Sequence, residues 1–120
     1  MKLIIDLIED IRTGINNDKE FSLVVMGLEE KDKSVFVPSW QSGVCSMKLD
    51  EESKKLFIFL GKEEALRIGG VVENLNHLSN EKMMYEVCVS YLKEGKRFDS
   101  SLLGFGESLQ EKKYLLFIPK

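Results

Sequence analysis

Side chains that could perform covalent catalysis are few in this chain of 120 residues. Cys45 and Cys88 are its two cysteines and His77 is its one histidine, so a thiol nucleophile with an imidazole base is the pairing to consider. Both cysteines lie in apolar runs typical of strands, and His77 lies near the end of a predicted helix, where the helix dipole stabilises a cation. We therefore predict two buried, unbridged thiols and an exposed histidine, with catalysis by Cys88 and His77 as the alternative.

A second arrangement partly matches a phosphate-binding loop, because a predicted strand is followed by Gly61, Lys62 and a helix. That loop requires a further glycine at the position held here by Leu56, and a serine or threonine at the position held by Glu63. Glu63 and Glu64 would also repel a phosphate group. The sequence therefore predicts no nucleotide site at this point.

Metal and cofactor sites lack the required ligands. One histidine and two distant cysteines do not have the spacing of a zinc site. The 20 acidic residues leave a carboxylate site for magnesium open, although no spacing indicates where it would lie. We predict no cofactor. The net charge of -3 also argues against general nucleic-acid binding, which requires a basic face.

Acidic side chains cluster in two predicted hairpin loops, and a tryptophan lies in a third. The candidate partner-binding residues are Glu29, Glu30, Asp32, Trp40, Asp50, Glu51 and Glu52. Alternate loops of a meander emerge at the same end of a sheet, so we expect the acidic loops to be neighbours and the Trp40 loop to lie at the opposite end. Trp40 either folds back over a sheet edge or is exposed as a binding anchor. Ordinary solvated hairpin tips are the alternative for the acidic loops.

The segment from residue 56 to 78 organises the predicted fold. Leu56–Leu60 is an apolar run that predicts a central strand buried on both faces. A helix is predicted from Lys62, and its Gly69–Gly70 pair would either break it or allow close packing on the sheet. We expect close packing, because a helical apolar stripe continues through Ala65, Ile68, Val72 and Leu75.

The other periodicities complete a two-helix fold. Residues 2–16 predict an amphipathic helix, followed by a turn at residues 16–18. Strands are expected at residues 21–28, 35–37, 44–49, 56–60, 84–92, 98–106 and 114–118. Within Met84–Leu92, β-branched and aromatic residues favour a strand over a helix. Residues 1–120 are thus predicted to form a single α+β domain with two helices on a mainly antiparallel sheet of about 6–7 strands, in the order α-β-β-β-β-α-β-β-β.

Two functions fit these observations. The first is a small acidic cytoplasmic protein-binding module, for example an inhibitor or immunity-type neutraliser of a basic toxin or nuclease, acting as a monomer or a homodimer. The second is a small α+β enzyme or ligand-binding protein with a pocket between the helix of residues 62–78 and the sheet. Asp6, Glu9 and Asp10 interrupt the N-terminal apolar run, so we predict neither an export signal nor a membrane span.

Overall fold

The computed structural model describes residues 1–14, 20–61 and 65–120 of the chain. These ranges contain two α-helices and seven β-strands. Their bounds are α1 Ile4–Gly14, β1 Ser22–Asp32, β2 Val35–Asp50, β3 Lys55–Leu60, α2 Ile68–Leu75, β4 Glu86–Lys93, β5 Lys96–Ser101, β6 Gly104–Ser108 and β7 Lys113–Pro119. A short 3-10 helix, Lys82–Met84, precedes β4.

The seven described strands form one sheet in the order β5-β4-β3-β2-β1-β7-β6. Most neighbours are antiparallel, but β1 pairs with β7 and β3 pairs with β4 in parallel. The α+β class is confirmed, while the sheet is mixed. The predicted element order is wrong, because the described ranges place three strands before α2 and four after it: α-β-β-β-α-β-β-β-β.

The sheet must curve strongly, because a short connection holds its two edges close together. The edge strands, β5 and β6, follow each other in the chain. Only Leu102 and Leu103 join β5 to β6. In a flat sheet, six strand spacings of about 4.8 Å would separate these edges by ~29 Å. The chain from Ser101 to Gly104 spans at most ~11 Å. The sheet must therefore curve until its edges approach, and Leu103 N–H donates to the carbonyl of Phe117 in β7 at this junction (2.7 Å).

The long strand β2 serves both halves of the curved sheet. Its first part pairs with β1 as far as Gly43, and its second part pairs with β3 from Val44 onward. Where β1 and β2 diverge, Leu66 lies between them: its N–H donates to Val44 O (2.9 Å), and its carbonyl accepts from Leu23 N–H (2.8 Å). These bonds fix the path of the chain between β3 and α2.

The hydrophobic core lies between the helices and one face of the sheet. The helices contribute to it the buried residues Ile4, Leu7, Ile11, Ile68, Val71 and Leu75. Leu56 and Ile58 of β3 face them, while Phe57 and Phe59 on the other face are half-buried. The expectation that β3 is buried on both faces is therefore wrong. Asp10 of α1 accepts a hydrogen bond from the Tyr114 hydroxyl.

The predicted strands at residues 35–37 and 44–49 are one continuous strand in the structure. The residues between them look like a turn in sequence, but β1 extends far enough to pair with them, with Gly27 opposite Trp40 and Val24 opposite Gly43. The predicted strand at residues 98–106 is instead two strands, β5 and β6. Both errors have one cause. The bounds of β2, β5 and β6 are set by pairing with strands that are distant in sequence, and residues close together in the chain do not reveal that pairing.

A bulge interrupts the alternation of side chains in β2. Val44 pairs with Leu60 and Ser46 with Phe59, so Cys45 is an extra residue between two regular pairs. Val44 is consequently fully buried and Cys45 is only half-buried, so the prediction of a buried thiol is wrong for Cys45. The strand interpretation of Met84–Leu92 is confirmed over Glu86–Lys93.

The helix expected from Lys62 is shorter in the described residues. It begins at Ile68, and Ala65 lies before it. Gly69 and Gly70 are therefore in the first turn rather than the middle of the helix. A side chain at Gly70 would meet no atom within 4 Å, so close packing does not explain that glycine. The predicted start at residues 62–64 and the predicted turn at residues 16–18 lie outside the described residues.

Candidate functional site

A two-stranded ribbon projects from one end of the sheet. β7 pairs with β1 only as far as Leu28, and β3 pairs with β2 only from Val44. Residues 29–39, which we name the β1–β2 ribbon, are therefore held by pairing between β1 and β2 alone, and Lys33 and Ser34 form its turn. Ser34 has φ of 68°, the left-handed conformation that such a tight turn requires.

The ribbon combines exposed apolar side chains with carboxylates. Val35 is 50% exposed and Phe36 is 49% exposed, so two large apolar side chains are uncovered beside the ribbon turn. Glu30 lies directly opposite Phe36 and Asp32 opposite Val35, so each apolar side chain has a carboxylate as its cross-strand neighbour. Because Val35 and Phe36 are consecutive in β2, their side chains point to opposite faces, and the ribbon thus presents one such pair on each face.

The three ribbon carboxylates differ in their contacts. Glu29 lies 3.6 Å from the ammonium group of Lys31 and 3.6 Å from that of Lys120. Among the described residues, Glu30 and Asp32 have no ion-pair partner. Two of the predicted partner-binding carboxylates are therefore available to another molecule.

The second acidic loop is held by contacts within the chain. Asp50 accepts a hydrogen bond from the Ser53 hydroxyl, and this bond, with backbone N–H groups of Glu52 and Ser53, lowers the pKa of Asp50 below its usual value. Glu51 forms an ion pair with Lys82, and this contact raises the pKa of Lys82. Asp50 thus stabilises its own hairpin turn, and Glu51 links that turn to the 3-10 helix before β4.

The structure separates the two acidic loops. Because β2 is continuous from Val35 to Asp50, the ribbon turn and the loop at residues 51–54 lie at its opposite ends. The expectation that these loops are neighbours is therefore wrong. Trp40 does not lie in a loop opposite them either, since it is a residue of β2 at the base of the ribbon.

An open cleft lies beside Trp40, at the point where β3 ends. β3 stops at Leu60, whereas its neighbours β2 and β4 both continue past that level. The cleft has a volume of about 480 Å³. Among the described residues, those that line it are Trp40, Ser42, Leu60, Gly61, Tyr91, Leu92, Lys93 and Lys120. It occurs on the helix-facing side of the sheet, because Trp40, Leu60 and Tyr91 all pack against the edge of the core.

Trp40 has a fixed position in this cleft. Its indole ring covers Gly27, and a Cβ atom at that position would clash with the ring. On its other side the ring contacts Tyr91, with ring centroids 5.7 Å apart. Tyr91 in turn stacks on Phe98 at 5.8 Å. The half-buried indole is thus neither free in solvent nor folded over an outer edge of the sheet.

The predicted pocket between the second helix and the sheet does not coincide with this cleft. The cleft is lined from β2, β3, β4 and Lys120, and residues of α2 do not line it. The Gly69–Gly70 pair therefore does not line this cleft.

A second cleft, with a volume of about 460 Å³, lies on the opposite face of the sheet, and Phe57, Phe59 and Arg97 are among the residues that line it. The Arg97 guanidinium lies over the rings of Phe57 and Phe59, at 5.1 and 5.9 Å from their centroids. Arg97 Nε also donates to Asp99 at 3.1 Å. These contacts cover the apolar side chains that the helices leave exposed.

The structure does not bring the thiols and the histidine together. Cys88 is buried in the middle of β4, on the face away from Val87, Val89 and the helices. His77 is exposed at the end of α2, on the helix side. Burial, and then the charge of Glu86, raises the pKa of Cys88 to about 11, so its thiol is protonated at neutral pH. Cys45 and Cys88 are both free.

Within residues 1–14, 20–61 and 65–120, no three acidic, cysteine or histidine side chains form a metal-binding group. No helix in those ranges has the length and apolar character needed to cross a membrane. Comparisons with models of protein families, with curated proteins and with solved structures found no match to this chain.

Sequence reasoning identified Trp40 but missed most of its surroundings. The sequence predicts only a short strand at Val35 and Phe36, although two large apolar residues beside a run of charges are a visible signal. Tyr91 and Lys93 were not singled out, because their proximity to Trp40 depends on the order of β2, β3 and β4 in the sheet.

Proposed function

We propose that this chain is a small protein-binding module that uses the β1–β2 ribbon to bind a basic protein surface. The observation that carries the proposal is the exposed pair of Phe36 and Glu30, which are cross-strand neighbours on a projecting ribbon. Val35 and Asp32 form a similar pair nearer the turn, on the other face of the ribbon.

This composition suits an arginine or lysine side chain of a partner. A guanidinium group can form charge-assisted hydrogen bonds to Glu30 while its planar face stacks on the Phe36 ring. Removal of the apolar side chains from water adds to this attraction. A partner with a basic residue beside an apolar patch would therefore match the pair of Phe36 and Glu30.

The ribbon is also well placed for binding, because it extends beyond the ends of β7 and β3, the strands that flank β1 and β2 in the sheet. Its carboxylates Glu30 and Asp32 have no ion-pair partner in the described ranges, in contrast to Glu51. Glu29, held by Lys31 and Lys120, links the ribbon to the end of β7. A partner therefore meets a surface that needs little rearrangement.

An inhibitor or immunity-type neutraliser of a basic toxin or nuclease is the specific form of this function that we propose. Electrostatic steering by Glu30 and Asp32 would speed its association with a basic partner and make that rate fall with added salt. We place the protein in the cytoplasm, since two free thiols fit a reducing compartment.

Photocrosslinking in the cells that express the protein tests this function. Phe36 is replaced by p-benzoylphenylalanine, and the same replacement at Leu109, which is 67% exposed, serves as the matched control. We expect a discrete adduct with a basic protein from position 36 and none from position 109. Absence of an adduct at position 36, or the same adduct at both positions, would overturn the proposal.

The captured protein is then purified and its affinity measured. Phe36→Ser and the double change Glu30→Lys with Asp32→Lys should each weaken binding by about tenfold to a hundredfold, as for anchor residues of other interfaces. Glu51→Lys, at the other acidic loop, should leave the affinity unchanged. Equal losses from both loops would contradict a ribbon-specific interface.

A further inference from the structure

We propose that the cleft beside Trp40 binds a small molecule composed of a planar aromatic ring and an anionic group. This site is separate from the β1–β2 ribbon, and the inference does not rest on the proposed partner binding. It stands on the shape, the aromatic walls and the charges of the cleft.

The size of the cleft suits a small molecule. Its volume of about 480 Å³ lies within the range of roughly 300–1,000 Å³ that is usual for ligand pockets. Leu60 and Gly61 close the end where β3 stops, and Trp40 and Tyr91 stand on the flanking strands β2 and β4. The premature end of β3 is thus what creates the space.

The aromatic walls are already in place. Trp40 and Tyr91 meet at an angle of 51°, so their rings form a corner rather than a closed stack. Gly27 behind the indole and Phe98 beside the phenol ring hold this corner. A planar ring can stack on one wall and meet the other edge-on, and neither wall has to be ordered on binding.

Two lysines are the charged residues among the described residues that line the cleft. They are Lys93 and Lys120, and Lys120 is already paired with Glu29. Lys93 has no ion-pair partner in the described part of the chain, and its cross-strand neighbour is Lys96. Like charges directly opposite each other destabilise a sheet, and a bound anion would relieve this repulsion. Lys93 therefore selects an anionic ligand over a neutral one.

NMR titration of the isotope-labelled protein tests the inference with matched probes. The anionic aromatic probe is 2-naphthoate, its neutral counterpart is 2-naphthamide, and cyclohexanecarboxylate is an anion without a planar ring. The single tryptophan supplies one indole N–H signal, so Trp40 reports on the cleft without ambiguity. We expect 2-naphthoate to shift this signal and the amides of residues 91–93 in a saturable way. Both other probes should bind at least about tenfold more weakly.

Variants separate the contributions of charge and ring. Lys93→Gln should weaken 2-naphthoate by about threefold to tenfold and leave 2-naphthamide unchanged, whereas Tyr91→Leu should weaken both aromatic probes. Lys33→Gln, a change of an exposed lysine at the ribbon turn, is the matched control and should have no effect.

Several results would overturn the inference. They are the absence of a saturable shift at the Trp40 indole, equal affinity for the charged and neutral naphthalenes, and shifts centred on the Arg97 cleft instead. None of these results bears on the ribbon, because the crosslinking experiment at position 36 uses a different surface and a different ligand.

Discussion

The two acidic hairpins at the ends of β2 look alike in sequence and differ in the structure. The β2–β3 hairpin carries Asp50 and Glu51, and both carboxylates bind groups of the same chain. The β1–β2 ribbon carries Glu30 and Asp32 beside exposed Phe36. The comparison shows that acidic composition alone does not identify a binding loop. What distinguishes the ribbon is the combination of free carboxylates with apolar side chains that the fold leaves uncovered.

The hairpins also differ in their support. Strands β2 and β3 lie inside the sheet, and Leu56 beside the β2–β3 turn is buried in the core. The ribbon extends past both of its neighbouring strands. The β2–β3 hairpin is therefore part of the folded core. The β1–β2 ribbon projects from the core, and its opening would lower the stability of the remaining fold only slightly.

The largest expected effect on stability comes from a substitution in the β2–β3 hairpin, which is anchored in the core. Leu56→Ala should lower the free energy of unfolding by about 2–5 kcal/mol, because it removes a buried side chain and leaves a cavity. Urea denaturation followed by circular dichroism measures the change. A loss below ~1 kcal/mol would show that the β2–β3 hairpin is no better anchored than the ribbon.

Hydrogen exchange should show the same difference in the unmodified protein. We expect the amides of residues 35–37 to exchange at least about tenfold faster than those of residues 47–49, since the ribbon can open without disturbing the core. Exchange followed by NMR resolves both sets. Equal protection in the two segments would contradict a ribbon that opens on its own.

A smaller effect is expected from the ribbon side chain itself. Phe36→Ser should change the free energy of unfolding by less than ~0.5 kcal/mol, because the ring is 49% exposed and lies on a projecting strand. The same urea experiment measures it. A larger loss would mean that Phe36 serves the fold, and it would remove the ring from the proposed interface.

The smallest effect concerns the pH dependence of the β2–β3 hairpin. The folded-state pKa of Asp50 is held below its usual value of 3.8, so ionised Asp50 stabilises the fold at neutral pH, and that contribution is lost as the pH falls below this value. Ser53→Ala should raise the pKa of Asp50, as measured by NMR titration of its carboxyl group. Ser39→Ala, a change in the other hairpin, is the control. An unchanged Asp50 pKa in the Ser53 variant would disprove the hydrogen bond as its cause.

Much of the local structure could be predicted from sequence, because it depends on residues close together in the chain. The period of Ile4, Leu7 and Ile11 identified α1, and the apolar run at Leu56–Leu60 identified β3. Strand alternation within β4 also places Val87 and Val89 on the face opposite Cys88. These signals require no knowledge of the strand order.

The candidate sites could not be predicted in this way, since they depend on pairing between distant segments. Residues 38–43 contain a proline, two serines and a glycine, and only their pairing with β1 makes them a strand. The position of Trp40 over Gly27 depends on the register of the same pair. Its contact with Tyr91 further requires β3 to end early between β2 and β4.

The position of β7 has a consequence for the synthesis of this protein. β7 follows the other six described strands in sequence, yet it lies between β1 and β6 inside the sheet. Until its residues have emerged from the ribosome, β1 lacks its parallel neighbour and β6 lacks the strand with which it pairs in the described part of the chain. Core residues such as Leu23 and Val25 therefore stay accessible to chaperones until β7 has emerged.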